Sequence, residues 1–300
     1  MKNIFKGIFP ALVTPLTEDN EFAPRPMESL LERLYAAGVQ GVYVCGSTGE
    51  GLFQSVEMRQ SVAEEVVRCS PRGKVVVVHI GAQKRSEALR LARHARRIGA
   101  QAVSSLPPLG ARSFVEIRQY YKRLAAAAEL PLLVYYFPDI CSGINTCEQI
   151  LELCDIPNVI GLKFTDFDLF KLNRIKRAGY VVFNGRDEVL VAGLLMGADG
   201  GIGSTYNLIP ELYVELYEMA KQQRWKEARR VQDQVNELIA IILRFPLLPA
   251  IKTMLEWSGI NCGPCLDQPQ TLISSQRSAL RELLRKSSFA GHPWVGSDLR

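Results

Sequence analysis

The least expected residue in the chain is Lys163, which follows the apolar run Val159-Ile160-Gly161-Leu162. Lysine is seldom buried, and burial without a carboxylate partner disfavours the ammonium relative to the free amine. A free amine is what imine formation with a carbonyl substrate requires. The competing reading is a strand-end lysine whose stem lies along the apolar run while the charge reaches water. Tyr135 ends a similar run, Leu132-Leu133-Val134. A phenol there either packs in the core or moves a proton at a substrate oxygen. The segment Gly46-Ser47-Thr48-Gly49-Glu50-Gly51 offers glycine-freed backbone N–H groups and two hydroxyls, a composition that suits a carboxylate or phosphate cradle. Asp187, Glu188 and Ser204 stand after further apolar runs. They suit hydroxyl binding, metal ligation or, for Asp187 in particular, helix capping.

Metal chemistry has little to draw on. Of the three histidines, His79 falls in an apolar run, His94 in a helical pattern and His292 near the C-terminus, so no ligand set converges. We expect no metal and no cofactor.

The elements that must position these residues are short apolar runs ending in Gly, Pro, Ser, Thr or Asp. They run from Gly7 to Thr14, Gly41 to Cys45, Lys74 to Gly81, Ala102 to Leu106, Pro131 to Phe137, Val159 to Phe164, Tyr180 to Gly185 and Gly200 to Ser204. Near-continuous rather than alternating hydrophobicity marks strands buried on both faces. Between them lie segments with a period near 3.6, such as Leu30, Leu31 and Leu34, or Ile117, Tyr121 and Leu124. Leu89, Ala92 and Ala95 mark another such stripe. Ser55, Ser86 and Ser113 (with Glu116 three positions on) read as helix caps. Eight strands alternating with helices predict a closed parallel (β/α)₈ TIM barrel. A doubly wound open sheet is disfavoured because no Gly-x-Gly-x-x-Gly follows the first strand. The barrel is expected over 1–222. Helices over 208–222, 224–244, 250–258 and 270–286 follow, of which those in 223–286 pack on the barrel as part of the same domain. Residues 287–300 are expected to form a loose tail. In such barrels the active site lies at the C-terminal strand ends, where Lys163, Tyr135, the Gly46–Gly51 segment, Asp187, Glu188 and Ser204 all fall.

Composition narrows the function class. Hydrophobic residues make up 47% and charged residues 22%, which is ordinary for a globular enzyme. The net charge of +5 is spread out. Its densest cluster (Lys84, Arg85, Arg90, Arg93, Arg96, Arg97) reads as the solvated face of an outer helix, not a nucleic-acid surface. The seven cysteines are an odd number, several in apolar runs, which predicts reduced thiols and a cytoplasmic location. Cys262-Gly-Pro-Cys265 reads as a turn carrying two incidental thiols. Neither a signal peptide nor a membrane span is expected.

Taken in order, Gly-Ser-Thr-Gly-Glu (46–50), Tyr-x-x-Pro (135–138), Gly-Leu-Lys-Phe-Thr-Asp (161–166) and Gly-Ala-Asp-Gly-Gly-Ile-Gly-Ser-Thr-Tyr-Asn (197–207) resemble the dihydrodipicolinate synthase / N-acetylneuraminate lyase family. The likeness spans about Gly7 to Leu284, and Gly185 to Glu188 is most similar to the N-acetylneuraminate lyase branch. The resemblance implies a class I aldolase that cleaves N-acetylneuraminate to pyruvate and N-acetylmannosamine. Lys163 would form the imine, Ser47 and Thr48 with Gly49 would hold the carboxylate, and Tyr135 would act on the C4 oxygen with Ser47 in its relay. Thr165, Gly185, Asp187, Glu188 and Ser204 would line the sugar end, and the implied assembly is a homotetramer. Alternatives are an aldolase for another 2-oxo acid, of 2-keto-3-deoxygluconate or dihydrodipicolinate synthase type, and a non-catalytic sugar-acid-binding barrel.

Two departures stand out. Many relatives place a relay tyrosine just after the fourth strand, where Leu106-Pro-Pro-Leu-Gly-Ala-Arg112 has none. The stretch Pro138 to Gly143 carries an extra residue. No arginine lies between Arg123 and Arg174 to serve as the carboxylate grip of a dihydrodipicolinate synthase. Arg186, between Gly185 and Asp187, is positioned to favour a more anionic substrate.

Overall fold

The computed structural model describes residues 4–108 and 113–295. Its strands are β1 (Gly7–Pro10), β2 (Gly41–Val44), β3 (Val75–His79), β4 (Ala102–Ser105), β5 (Leu132–Tyr136), β6 (Val159–Phe164), β7 (Val181–Asn184) and β8 (Gly200–Gly203). All pair in parallel, in the order β1-β8-β7-β6-β5-β4-β3-β2. A parallel bridge between Ala11 and Tyr43, with Leu12 N–H donating to Tyr43 O at 2.9 Å, brings β1 against β2 and closes the barrel. The expected (β/α)₈ architecture is what forms.

The interior is filled from alternate positions, as the two-residue strand period requires. Phe9, Ala11, Tyr43, Val75, Val77, Ala102, Leu133, Val181, Phe183 and Ile202 form one cluster inside the barrel. Their neighbours, such as Val42, Val76, Val103, Val134, Leu162 and Val182, face the helices. This two-sided burial is why the strands read as unbroken apolar runs.

The helices are α1 (Pro24–Ala36), α2 (Val56–Cys69), α3 (Arg85–Arg97), α4 (Phe114–Ala128), α5 (Cys147–Cys154), α6 (Leu169–Arg177), α7 (Leu190–Leu195) and α8 (Pro210–Lys221) around the barrel. Then follow α9 (Trp225–Ile242), α10 (Leu247–Trp257) and α11 (Ser274–Arg285). Ser55 caps α2, and Ser113 forms a capping box with Glu116 on α4. Ser86 does not cap α3, which starts one residue earlier at Arg85 after Lys84. On α3 the buried face is Ala88, Leu91, Ala92, His94 and Ala95, with Leu89 only partly covered, while Arg90, Arg93, Arg96 and Arg97 are exposed. The third C-terminal helix begins at Leu247, not 250, because Pro249 lies in its first turn, where a missing N–H costs nothing. No single helix among the described residues is long and apolar enough to cross a membrane.

Residues 287–295 are not the loose tail expected for 287–300. Trp294 is fully buried, its ring 3.5 Å from that of His292 and 5.9 Å from that of Phe289, and its short 3₁₀ turn packs on α10 and α11. One aromatic anchor buries enough surface to hold a segment that shows no periodicity. Residues 296–300 lie outside the described residues, as do 109–112, where much of the tyrosine-free loop after β4 falls.

Candidate active site

The β5–β6 register pairs Tyr135 with Lys163 and Tyr136 with Phe164. Adjacent parallel strands therefore deliver the phenol and the amine to the same inward face, one level above Leu133 and in register with Phe183. Lys163 is 4% exposed. Its Nζ lies 4.2 Å from the centre of the Tyr135 ring and 4.5 Å from that of Tyr43, and no carboxylate pairs with it among the described residues. Of the two readings of this lysine, the structure takes the buried one.

Lys163 faces a cavity of about 350 Å³, which Ser47, Thr48, Tyr135, Thr165, Gly185, Asp187, Glu188 and Ser204 also line. Of the expected site residues only Gly49 is absent from the wall. Its carbonyl is taken up by Thr14 Oγ1 and Gln54 Nε2, each donating at 2.7 Å. In this loop Glu50 N–H donates to Ser47 O and Gly51 N–H to Gly46 O, whereas the N–H groups of Ser47, Thr48 and Gly49 take no part in these turn bonds. Consecutive uncommitted N–H groups are what an anion cradle needs. Thr48 Oγ1 is hydrogen-bonded to Ser204 Oγ at 2.7 Å, joining the β2 and β8 ends. Ser47 is exposed, and no hydrogen bond joins it to Tyr135.

Strand seven ends in a single 3₁₀ turn, Asp187–Val189, which aims two carboxylates at the cavity. Asp187 Oδ2 accepts from Thr205 N–H at 2.9 Å and from Thr205 Oγ1 at 2.6 Å. Burial raises its pKa to about 6 despite these bonds. The turn is braced from behind, since Gln232 Nε2 donates to Asp187 O at 3.0 Å and Asn236 Nδ2 to Glu188 O at 3.1 Å. Glycine is dictated at two positions here by close approach. A Cβ on Gly185 would sit 2.1 Å from Thr165 Oγ1, and one on Gly203 would sit 1.9 Å from Asp187 Oδ1. Thr165 Oγ1 is itself buried without a hydrogen-bond partner. A hydroxyl left so is costly unless something else supplies the bond.

His79 is not a competing base. Leu106 N–H donates to its Nε2 at 3.2 Å, which leaves Nδ1 bearing the proton 3.1 Å from Cys45 O. Burial above all, with the nearby Arg59 guanidinium, pushes its pKa well below the usual value. The neutral ring packs edge-on to Tyr135 at 6.1 Å. His94 pairs with Glu64 in the helical layer, and His292 stacks on Trp294. Among the described residues one cluster has metal-ligand spacing, Glu28, Glu65 and Cys69, and Arg68 already bridges its two carboxylates on the outer helices.

Several lining residues escaped the sequence reading. Ile239 and Leu243, at the end of α9, and Leu247 and Leu248, at the start of α10, close the cavity from the C-terminal helices. Their periodic apolar pattern is indistinguishable from core packing. Glu50, inside the glycine-rich motif, turns away from the cavity. Its Oε2 lies 3.2 Å from Lys252 Nζ, and its Oε1 accepts from Leu266 N–H at 2.6 Å and Asp267 N–H at 3.2 Å. Lys252 also donates to Pro264 O at 2.6 Å, so the Cys262–Cys265 turn is anchored to the site loop by a buried ion pair. Both cysteines are buried free thiols whose pKa burial pushes up to about 12, which makes them poor nucleophiles. A guanidinium does reach the wall beside Tyr135, but Arg186 brings it from β7. It lies over the Phe137 ring at 5.2 Å and the Phe167 ring at 4.5 Å, and pairs with Asp139.

The sequence matches the model of the dihydrodipicolinate synthetase family over residues 4–287. The chain belongs to that family. It is 37% identical to an N-acetylneuraminate lyase of Rhizobium meliloti, covering 92% of this chain and 93% of the relative. It is 33% identical to N-acetylneuraminate lyase 2 of Escherichia coli, covering 96% of each. Among solved structures, the sialic acid aldolase of Ruminococcus gnavus superposes with a TM-score of 0.89 at 30% identity, over 94% of this chain and 96% of that one. Family membership thus rests on the whole barrel and its C-terminal helices, not on the motifs alone.

Proposed function

We propose that this family member is a class I aldolase that cleaves N-acetylneuraminate to pyruvate and N-acetylmannosamine. The observation that carries the reading is Lys163: an amine 4% exposed, over two aromatic faces and without a carboxylate, at the base of a cavity whose far wall carries hydroxyl-binding groups. The named activities of the relatives point the same way.

The amine attacks the C2 ketone of the open-chain sugar acid and water leaves, giving an iminium. The substrate carboxylate rests on the Ser47 and Thr48 backbone N–H groups and the Thr48 hydroxyl. Tyr135 removes the C4 hydroxyl proton, its own proton passing on through water, Ser47 or the substrate carboxylate. The C3–C4 electron pair collapses toward the positive nitrogen as the aldehyde departs. Protonation of the enamine at C3 and hydrolysis release pyruvate and restore the amine.

The substrate assignment rests on the sugar end. Thr165 Oγ1, without a partner, Glu188, Ser204 and Asp187 Oδ1 border the cavity from β6, β7 and β8. A short aldehyde acid would leave the buried Thr165 Oγ1 unsatisfied, at roughly 1–3 kcal/mol. A polyhydroxylated nine-carbon acid supplies partners for it and for the other groups. A coupled assay for pyruvate across N-acetylneuraminate and 2-keto-3-deoxygluconate tests this. The highest kcat/KM is expected for N-acetylneuraminate, and a preference for the six-carbon acid would overturn the assignment. We expect the enzyme to act in the cytoplasm as a homotetramer.

A further inference from the structure

The far end of the cavity holds one group that the aldol reaction does not use. Arg186 lines the same space as Glu188 and Thr165, its guanidinium 5.2 Å from the Phe137 ring centre and 4.5 Å from that of Phe167, and paired with Asp139. The side chain is 19% exposed, whereas that of Asp139 is 62% exposed. The two are thus unequal partners, one held in the wall and the other on the rim. Two aromatic rings against the guanidinium restrict it while leaving edge N–H groups to bond. Its Nε is buried and has no hydrogen-bond partner. A guanidinium held against two rings, with a donor to spare and a carboxylate that water can readily solvate in its place, is suited to exchange that carboxylate for another oxyanion.

We propose that Arg186 forms an anion subsite at the distal end of the pocket, taking a phosphate monoester or second carboxylate on the terminal carbon of the sugar acid. Asp139 serves as the counter-ion that holds the guanidinium when no such group is bound. The inference rests on the aldolase reading and specifies the far end of its substrate. Glu188, in the same wall, sets a limit: its carboxylate repels an anion placed too deep, so the subsite lies at the mouth, on the Asp139 side.

The test uses matched substrate pairs with the full-length enzyme. These are N-acetylneuraminate and its 9-phosphate, 2-keto-3-deoxygluconate and its 6-phosphate, and the six-carbon acid with a terminal carboxylate in place of the hydroxymethyl group. The ratio of kcat/KM, anionic over neutral, is measured for the native enzyme and for Arg186→Gln. The native ratio should exceed one in at least one pair. Arg186→Gln should lower that ratio by about 10- to 100-fold, the size of one charge-assisted hydrogen bond. Asp139→Asn should leave the preference in place or strengthen it, since the competing carboxylate is gone. The phosphate and carboxylate arms then identify the anion. Ratios at or below one throughout, or ratios that Arg186→Gln leaves unmoved, overturn the subsite while turnover continues. Absence of pyruvate from every substrate would instead overturn the aldolase reading, so the two failures are distinguishable.

Discussion

Replacing Lys252 by Met removes a buried cation while keeping most of its stem. Lys252 and Glu50 have side chains 3% and 1% exposed, and their charged atoms lie 3.2 Å apart. In the variant the Glu50 carboxylate keeps only the Leu266 and Asp267 N–H groups, and Pro264 O loses its donor. Removing one partner of a buried pair costs roughly 3–5 kcal/mol, mainly from the stranded charge. With an unfolding entropy of about 2.1 cal/mol/K per residue, the 300 residues give about 0.6 kcal/mol/K, so Tm should fall by roughly 5–8 °C. The double variant Glu50→Gln/Lys252→Met has no charge to strand and should recover much of the loss. Activity should suffer too, because the pair ties the loop bearing Ser47 and Thr48 to α10, whose Leu247 and Leu248 line the cavity. Thermal denaturation of the two single variants and the double variant, with KM measured alongside, provides the check. A fall below about 2 °C, or costs that simply add in the double variant, would refute the argument that this pair is a buried clamp.

Tyr135→Phe should lower kcat by ~10²–10⁴ with little change in KM, if the phenol moves the proton at C4; a change confined to KM would make it pocket wall. Asp187 gives a pH signature. Its folded pKa of about 6 lies above the usual 3.8, so the folded state binds the proton more tightly. The resulting stabilisation is full below about pH 4 and is lost as pH rises through about 6, roughly 3 kcal/mol in all. Asp187→Asn should remove this slope from the denaturation free energy, and an unchanged slope between pH 4 and 6 would exclude Asp187 as its source.

The barrel was legible because parallel strands covered on both faces leave unbroken apolar runs, and each run predicted from Gly7 to Ser204 contains one of the eight strands. Strand-end logic then pointed to one cavity: of the eight residues expected there beside Lys163 and Tyr135, seven line it, and Gly49 instead meets Thr14 and Gln54 through its carbonyl. What the sequence withheld has a common cause. Ile239, Leu243, Leu247 and Leu248 reach the cavity from helices distant in the chain, and nothing local distinguishes them from residues that pack a core. Arg186 is legible as a lever toward anionic substrates from its place between Gly185 and Asp187, but its partner is not. A scan of the residues near β5 finds no arginine, yet the fold carries one there from β7 to meet Asp139. Glu50 illustrates the reverse. It belongs to the motif at the site, but its side chain turns outward to hold the Cys262–Cys265 turn, a role visible only once the C-terminal helices are in place. The burial of Trp294 was hidden because a single anchor leaves no period to read.

The central claim is that Lys163 is the nucleophile, and borohydride trapping tests it most directly. The protein is incubated with pyruvate, reduced, digested and mapped by mass spectrometry. One reduced pyruvate per chain is expected, on Lys163, and none in Lys163→Arg, whose guanidinium stays protonated. A label on Lys252 or Lys74, or no label at all, would contradict it.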